Sequence, residues 1–262
     1  MTDVAPDKQK SLKNKKPLKK LTWESVAGPI AMLGFICAWQ IASMYAPPYA
    51  IPSWGRIIHA LLKVPLDDVG ISLVRLILSM VLSFVVGLSF SMFIFERPIL
   101  EALFLPFVKL VMAVPAVCWV VFAILWFKGV EFRIFFVMCI TCTPVFIVDS
   151  LDAMKSVPLD LRQMVRSFRP DPVQFYGKII FPAILPNILT SWKINLTLAV
   201  RVVTIAELVG AVSGIGHGLV MAQEMFSVAE VFAWTAVLVL ILFVLQGLVI
   251  YIEHKTLRWR IS

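Results

Sequence analysis

Six stretches of this chain run for about 20 residues or more with few charges, and each is long enough to cross a bilayer as a helix. They are Val26–Tyr45, Val69–Phe95, Ile99–Trp126, Phe132–Leu151, Ile188–Val212 and Ala229–Ile252. Hydrocarbon offers no water to backbone N–H and C=O groups, so a spanning segment must satisfy them internally. Continuous runs of this length do so as helices, not as the short alternating strands of a barrel. With 60% hydrophobic and 15% charged residues, the chain has more apolar surface than a soluble core can bury. The reading is an all-α polytopic membrane protein with about six transmembrane helices.

The charges set the topology. The net charge of +8 comes mainly from Lys and Arg in tails and loops between the apolar runs. That pattern argues for membrane orientation and against nucleic-acid binding. Residues 1–22 form a basic tail, expected to be disordered and to touch anionic lipid headgroups. The run that follows is too long for a cleavable signal, so a permanently embedded domain is expected over 23–262. The tail, Glu96-Arg97-Pro98, the segment Lys155–Lys178 and the closing His254–Arg260 share one side. The other side holds Arg56, Lys63, Lys128 and Arg133, offset by Asp67, Asp68 and Glu131. Both termini are therefore expected in the cytoplasm. On the outer side, Pro52–Val64 and Gly216–Val228 read as interfacial helices.

Little in the sequence suggests an enzyme. Cys37, Cys118, Cys139 and Cys142 all lie in apolar runs, and the Cys139/Cys142 pair has no His or carboxylate close by in sequence. His59, His217 and His254 are isolated, so no metal site is expected. Asp149 and Asp152 read as helix-end charges. No phosphate-binding G-x-x-x-x-G-K-[ST] occurs, so ATP-driven work would need another chain.

Residues 156–186 interrupt the greasy pattern. Ser156 reads as an N-cap with Pro158 in the first turn. Leu161, Met164, Val165 and Phe168 then recur on one face, with Arg162, Gln163, Arg166 and Arg169 on the other. Pro170 stops this helix. Asp171 and Gln174 restart a second one as a capping box, Gly177 loosens it, and PAILP leads into the fifth span. Such a helix–turn–helix is either an amphipathic loop on the headgroups or a rigid knob that docks a soluble partner.

The segment resembles the cytoplasmic loop of binding-protein-dependent ABC importer permeases, whose signature is E-A-A-x-x-x-G, nine residues, then I-x-L-P. Aligned on Ile179-Ile180-Phe181-Pro182, the E-A-A positions are Gln163, Met164 and Val165, and the glycine position is Arg169. An Arg there points to a turn that avoids positive φ or is held extended by the following proline. SLVRLILSMVLSFVVGL, VPAVCWVVFAILWFKG, VVTIAELVGAVSGIGHGL and EHKTLRWR resemble other parts of the same permeases, in the nitrate/sulfonate/taurine-type branch. The resemblance implies a type I importer transmembrane fold. It also implies a coupling helix at Leu161, Arg162, Gln163, Met164, Val165, Arg166, Ser167, Phe168 and Arg169, packed on its apolar face by Leu161, Met164 and Phe168. The implied partners are two ATP-binding cassette subunits that hold ATP and Mg, a second permease subunit, an extracytoplasmic substrate-binding protein and membrane lipid. The chain itself would bind no cofactor and would lie in the bacterial inner membrane.

The fifth span carries a polar stripe of Thr190, Lys193, Thr197, Arg201, Thr204 and Glu207 at steps of three or four. Charge inside a span normally faces a bundle interior or a water-filled cavity. The stripe, joined by Lys109 of the third span, is the candidate translocation pathway; for Glu207 the alternative is pairing with a basic residue on another helix. Its basic balance favours a small anion such as a sulfonate, taurine or a nitrate-like ion. The same family includes importers of heteroaromatic metabolites. An ion-coupled carrier would need paired intramembrane carboxylates or related halves, and a membrane enzyme would need clustered His, Asp or Glu at a membrane face.

Overall fold

The computed structural model describes residues 23–47 and 49–257, and every regular element among them is helical. The expected basic tail and the last residues of the closing segment lie outside the described range. The first unit contains helix α1, Trp23–Tyr45, and the turn after it. That turn is tied back by two indoles. Trp39 donates to the Pro52 carbonyl at 3.1 Å, and Trp54 donates to the Ile36 carbonyl at 3.2 Å.

The second unit runs from Gly55 onward. It is built from α2 (Trp54–Leu61, whose first residue closes the first unit), α3 (Leu66–Phe95), α4 (Pro98–Ala113), α5 (Ala116–Trp126) and α6 (Val130–Lys155). These are followed by α7 (Leu159–Ser167), α8 (Pro172–Phe175), α9 (Phe181–Leu208), α10 (Ile215–Glu224) and α11 (Val228–Thr256). Five helical segments among the described residues are long and apolar enough to span, and the bent α4–α5 pair brings the number up to six.

That bend alters the third expected span. Residues 99–126 form two helices at 93° to one another instead of one rod. Pro115 explains the break: it has no N–H, and its ring drives Val114 out of the helical region to ψ 123°. Neither piece reaches the roughly 20 residues that a crossing needs.

α6 is the central post, packed against α3, α4, α5 and α9. α3 approaches it with a stripe of small residues at Ser79, Ser83, Gly87 and Ser91, all buried. Small side chains let two backbones close where no hydrophobic effect drives helices together in lipid. A Cβ on Gly87 would stand 2.7 Å from the Phe146 Cβ. One turn on, Ser91 Oγ lies 2.9 Å from the Ile147 carbonyl of α6. Phe84, Phe146 and Trp192 then join α3, α6 and α9, with ring centroids 5.4–5.7 Å apart.

The interruption after α6 differs from expectation in four respects. Ser156 closes α6 instead of opening α7: its N–H bonds the Asp152 carbonyl at 2.9 Å and its hydroxyl donates to the Ala153 carbonyl. Second, Leu161, Met164 and Phe168 do not pack inward. Met164 and Phe168 are 57% and 79% exposed, and Leu161 is also exposed, while Val165 and the half-buried Arg162 face the bundle. Arg162 lies over the Phe95 ring, 5.3 Å from its centroid.

Third, Arg169 adopts a φ of 48°, so the turn keeps the left-handed backbone that its family position reserves for glycine. A side chain there, immediately before a proline, is strained. Arg169→Gly is expected to stabilise this turn by up to about 1 kcal/mol. Slower proteolytic nicking between α7 and α8 would register the gain, and unchanged nicking would show that the turn carries no strain.

Fourth, the second short helix does not stop before the fifth span. α8 passes through a π turn at Tyr176–Ile180 straight into α9. Pro182 gives the reason, since its ring would collide with a carbonyl four residues back in an unbroken α-helix. The wider turn accommodates it, and the Phe181 N–H bonds the Tyr176 carbonyl, five residues back. α9 therefore starts earlier than Ile188 and ends at Leu208, short of Val212.

Candidate functional site

The expected stripe on α9 does not stay together. The Lys193 ammonium donates to Glu253 of α11 at 2.7 Å, which neutralises it. Thr197 Oγ1 accepts from Gln246 of α11 at 3.0 Å. Thr204 turns its hydroxyl onto its own helix, 2.7 Å from the Val200 carbonyl. Arg201 is exposed, as are Thr190 and Ile194 on the same helix. Lys109 is exposed on α4, with no hydrogen bond or ion pair to the stripe among the described residues. An open pocket of about 310 Å³ between α6 and α9 is lined by Asp149, Asp152, Asn187, Thr190, Ser191 and Ile194. Asp149, read from sequence as a helix-end charge, accepts a hydrogen bond from the Ser191 hydroxyl inside it.

Glu207 has a different environment. It is 1% exposed, at the end of the bundle opposite α7. Arg75 Nη1 donates to its Oε1 at 2.8 Å, and Ser72 Oγ lies 2.7 Å from its Oε2. The Gly216 N–H donates to Oε2 at 2.9 Å. Arg75 also donates through Nε to Glu131 at 2.8 Å and through Nη1 to the Ser213 carbonyl at 2.9 Å. Its Nη2 reaches Glu131 and, at 3.1 Å, Ser213 Oγ. Each of the five guanidinium N–H groups thus has an acceptor. The network joins α3, α6, α9 and the loop into α10, and Asp68 extends it by accepting from the Gly214 N–H at 2.8 Å.

A basic partner for Glu207 on another helix is one of the two expectations from the sequence, and in the structure that partner is Arg75 of α3. The signal was present: a lone Arg in the apolar SLVRLIL must find a partner. The glycines beside Glu207 belong to the same arrangement. Gly214 has a φ of 105°, and a Cβ there would stand 2.5 Å from the Glu207 carboxylate. Expected as an interfacial helix, α10 instead buries Ile215, Gly216, Gly218 and Ala222. It can do so because it lacks side chains where it meets α9 and Trp234.

A family model described as "binding-protein-dependent transport system inner membrane component" matches residues 79–258. The chain belongs to this family. It is thus a multi-pass inner-membrane permease component of an ABC importer, one of the subunits that form the translocation pathway. It is 25% identical over 253 residues to the bicarbonate transport system permease protein CmpB of Synechocystis sp., covering 88% of this chain and 90% of that one. It is 28% identical over 158 residues to the putative aliphatic sulfonates transport permease protein SsuC of Bacillus subtilis, covering 60% and 57%. A solved inward-facing structure of the MetNI methionine ABC transporter shares the fold, with a TM-score of 0.65 at 18% identity over 75% of this chain and 96% of that one.

Proposed function

We propose that this permease is coupled to a separate ATPase through α7, and that it conducts a small anion. The observation that carries the coupling is the outward apolar face of α7. Leu161, Met164 and Phe168 are exposed at a spacing of three and four residues, while Val165 and Arg162 anchor the helix to the bundle. Helix-in-groove recognition uses this kind of i, i+3, i+7 presentation. A short helix anchored on one side and free on the other can transmit a push without bending. The partners that fit this role are two ATP-binding cassette subunits holding ATP and Mg, a second permease chain and an extracytoplasmic binding protein. On this reading α7 and both termini face the cytoplasm, as the distribution of Lys and Arg supports.

Co-purification tests the docking. Phe168→Asp is expected to reduce recovery of the ATPase chain with this subunit at least tenfold while leaving membrane insertion intact. Wild-type recovery of the ATPase would reject α7 as the docking element.

The case for an anion rests on Arg201. Lys193 is already neutralised by Glu253, so Arg201 is the exposed cation on α9's open face. Bicarbonate and aliphatic sulfonates, named for the two relatives, are the substrates to try first. Arg201→Ala in the reconstituted importer is expected to lower uptake of labelled bicarbonate or an alkanesulfonate by about tenfold, with assembly unchanged. Equal uptake by variant and wild type would remove Arg201 from the pathway.

A further inference from the structure

A groove of about 350 Å³ runs between α3, α9 and α11, and all of its lining is apolar. Leu76 and Met80 of α3, Leu189 and Trp192 of α9, and Leu245 and Leu248 of α11 form its walls. It reaches Phe181 and Ile252 toward the end of the bundle that carries α7. Nothing polar in it would orient a hydrophilic substrate, so it does not extend the translocation pathway.

Its rim is not neutral. Lys178 stands three residues before Phe181, and Lys255 three residues after Ile252. Both are exposed, and neither makes an ion pair within 4 Å among the described residues. Glu253, the nearby carboxylate, is already held by Lys193. The arrangement is an apolar slot at bilayer depth with unneutralised ammonium groups beyond its end. We propose that the groove holds an acyl chain of an anionic phospholipid, whose phosphate is held at the surface by Lys178 and Lys255. The chemistry is complementary at both ends: hydrocarbon on hydrocarbon in the slot, and phosphate against ammonium at the rim. A zwitterionic lipid would fill the slot equally well but gain less at the rim.

Trp192 makes the site measurable. The assembled importer is reconstituted in vesicles carrying acyl-brominated phosphatidylglycerol or acyl-brominated phosphatidylcholine. The Trp192 contribution is obtained by subtracting the signal of Trp192→Phe. Brominated phosphatidylglycerol is expected to quench that contribution at least twofold more than brominated phosphatidylcholine. In Lys178→Gln/Lys255→Gln the two lipids should quench alike. Equal quenching in wild type would mean bulk lipid only and would overturn the anionic site. No quenching of Trp192 by either lipid would mean that protein covers the groove, for instance a second permease copy, and would overturn the proposal too. Should Trp192→Phe fail to assemble, mass spectrometry of the intact importer released from mixed micelles gives the same answer. Retained phosphatidylglycerol that disappears in the double Lys variant supports the site, and retention unaffected by the substitutions rejects it.

Discussion

Arg75→Met is expected to destabilise the permease by about 3–5 kcal/mol, because it leaves a buried carboxylate without its cation. The two carboxylates that Arg75 meets do not contribute equally. Glu131 is 61% exposed, so water can solvate it when the guanidinium is gone, and that pair contributes little. Glu207 is 1% exposed and has no such recourse. Its other neighbours, Ser72 Oγ and the Gly216 N–H, solvate it only in part. Thermal unfolding of the detergent-purified protein measures the loss. The decisive comparison is Arg75→Met/Glu207→Gln, which removes the stranded charge. If the double variant is clearly more stable than Arg75→Met alone, the cost lies in the uncompensated carboxylate. If the two unfold together, the guanidinium acts through packing and through its bonds to Ser213.

Gly216→Val is expected to lift α10 off α9. A Cβ at position 216 would stand 2.5 Å from the Glu207 Cβ and 2.7 Å from the Thr204 carbonyl oxygen. Both are atoms that cannot rotate away, one being backbone and the other fixed to it. Overpacking against yielding side chains costs about 1–3 kcal/mol, and this contact should reach at least the upper end. The displacement would also withdraw the Gly216 N–H from Glu207, so the lost packing and the lost hydrogen bond fall on the same variant. Ala222, 1% exposed on α10, reports the movement. Ala222→Cys in a cysteine-free background should be protected from a water-soluble thiol reagent and become reactive when Gly216→Val is added. Continued protection would show that α10 accommodates the methyl groups without separating.

Much of the architecture was legible because lipid leaves a chain few options. An apolar run of spanning length has to be a helix, and the order of such runs gives the order of the bundle. Pro115 could have been read as a break, but its position inside a greasy run concealed that the two halves turn by 93°. The short helix at Leu159–Ser167 was likewise visible from its periodicity. Which of its faces is buried was not, because Leu161, Met164 and Phe168 satisfy the same pattern whether they pack on the bundle or wait for another chain.

The sequence by itself determined that this chain crosses a membrane several times, that its Lys and Arg gather in the tails and loops between apolar runs, and that an amphipathic helix stands between two spans. These follow from local quantities: run length, charge placement and helical period. Only the tertiary structure decided the partners of the charges. Lys193, Arg201 and Glu207 lie on one broad face of one helix, yet the first is neutralised from α11, the second is left exposed, and the third is enclosed by Arg75. The reason is that a buried charge is settled by whatever side chain another helix brings within about 3 Å, and helical periodicity says nothing about the neighbouring helix.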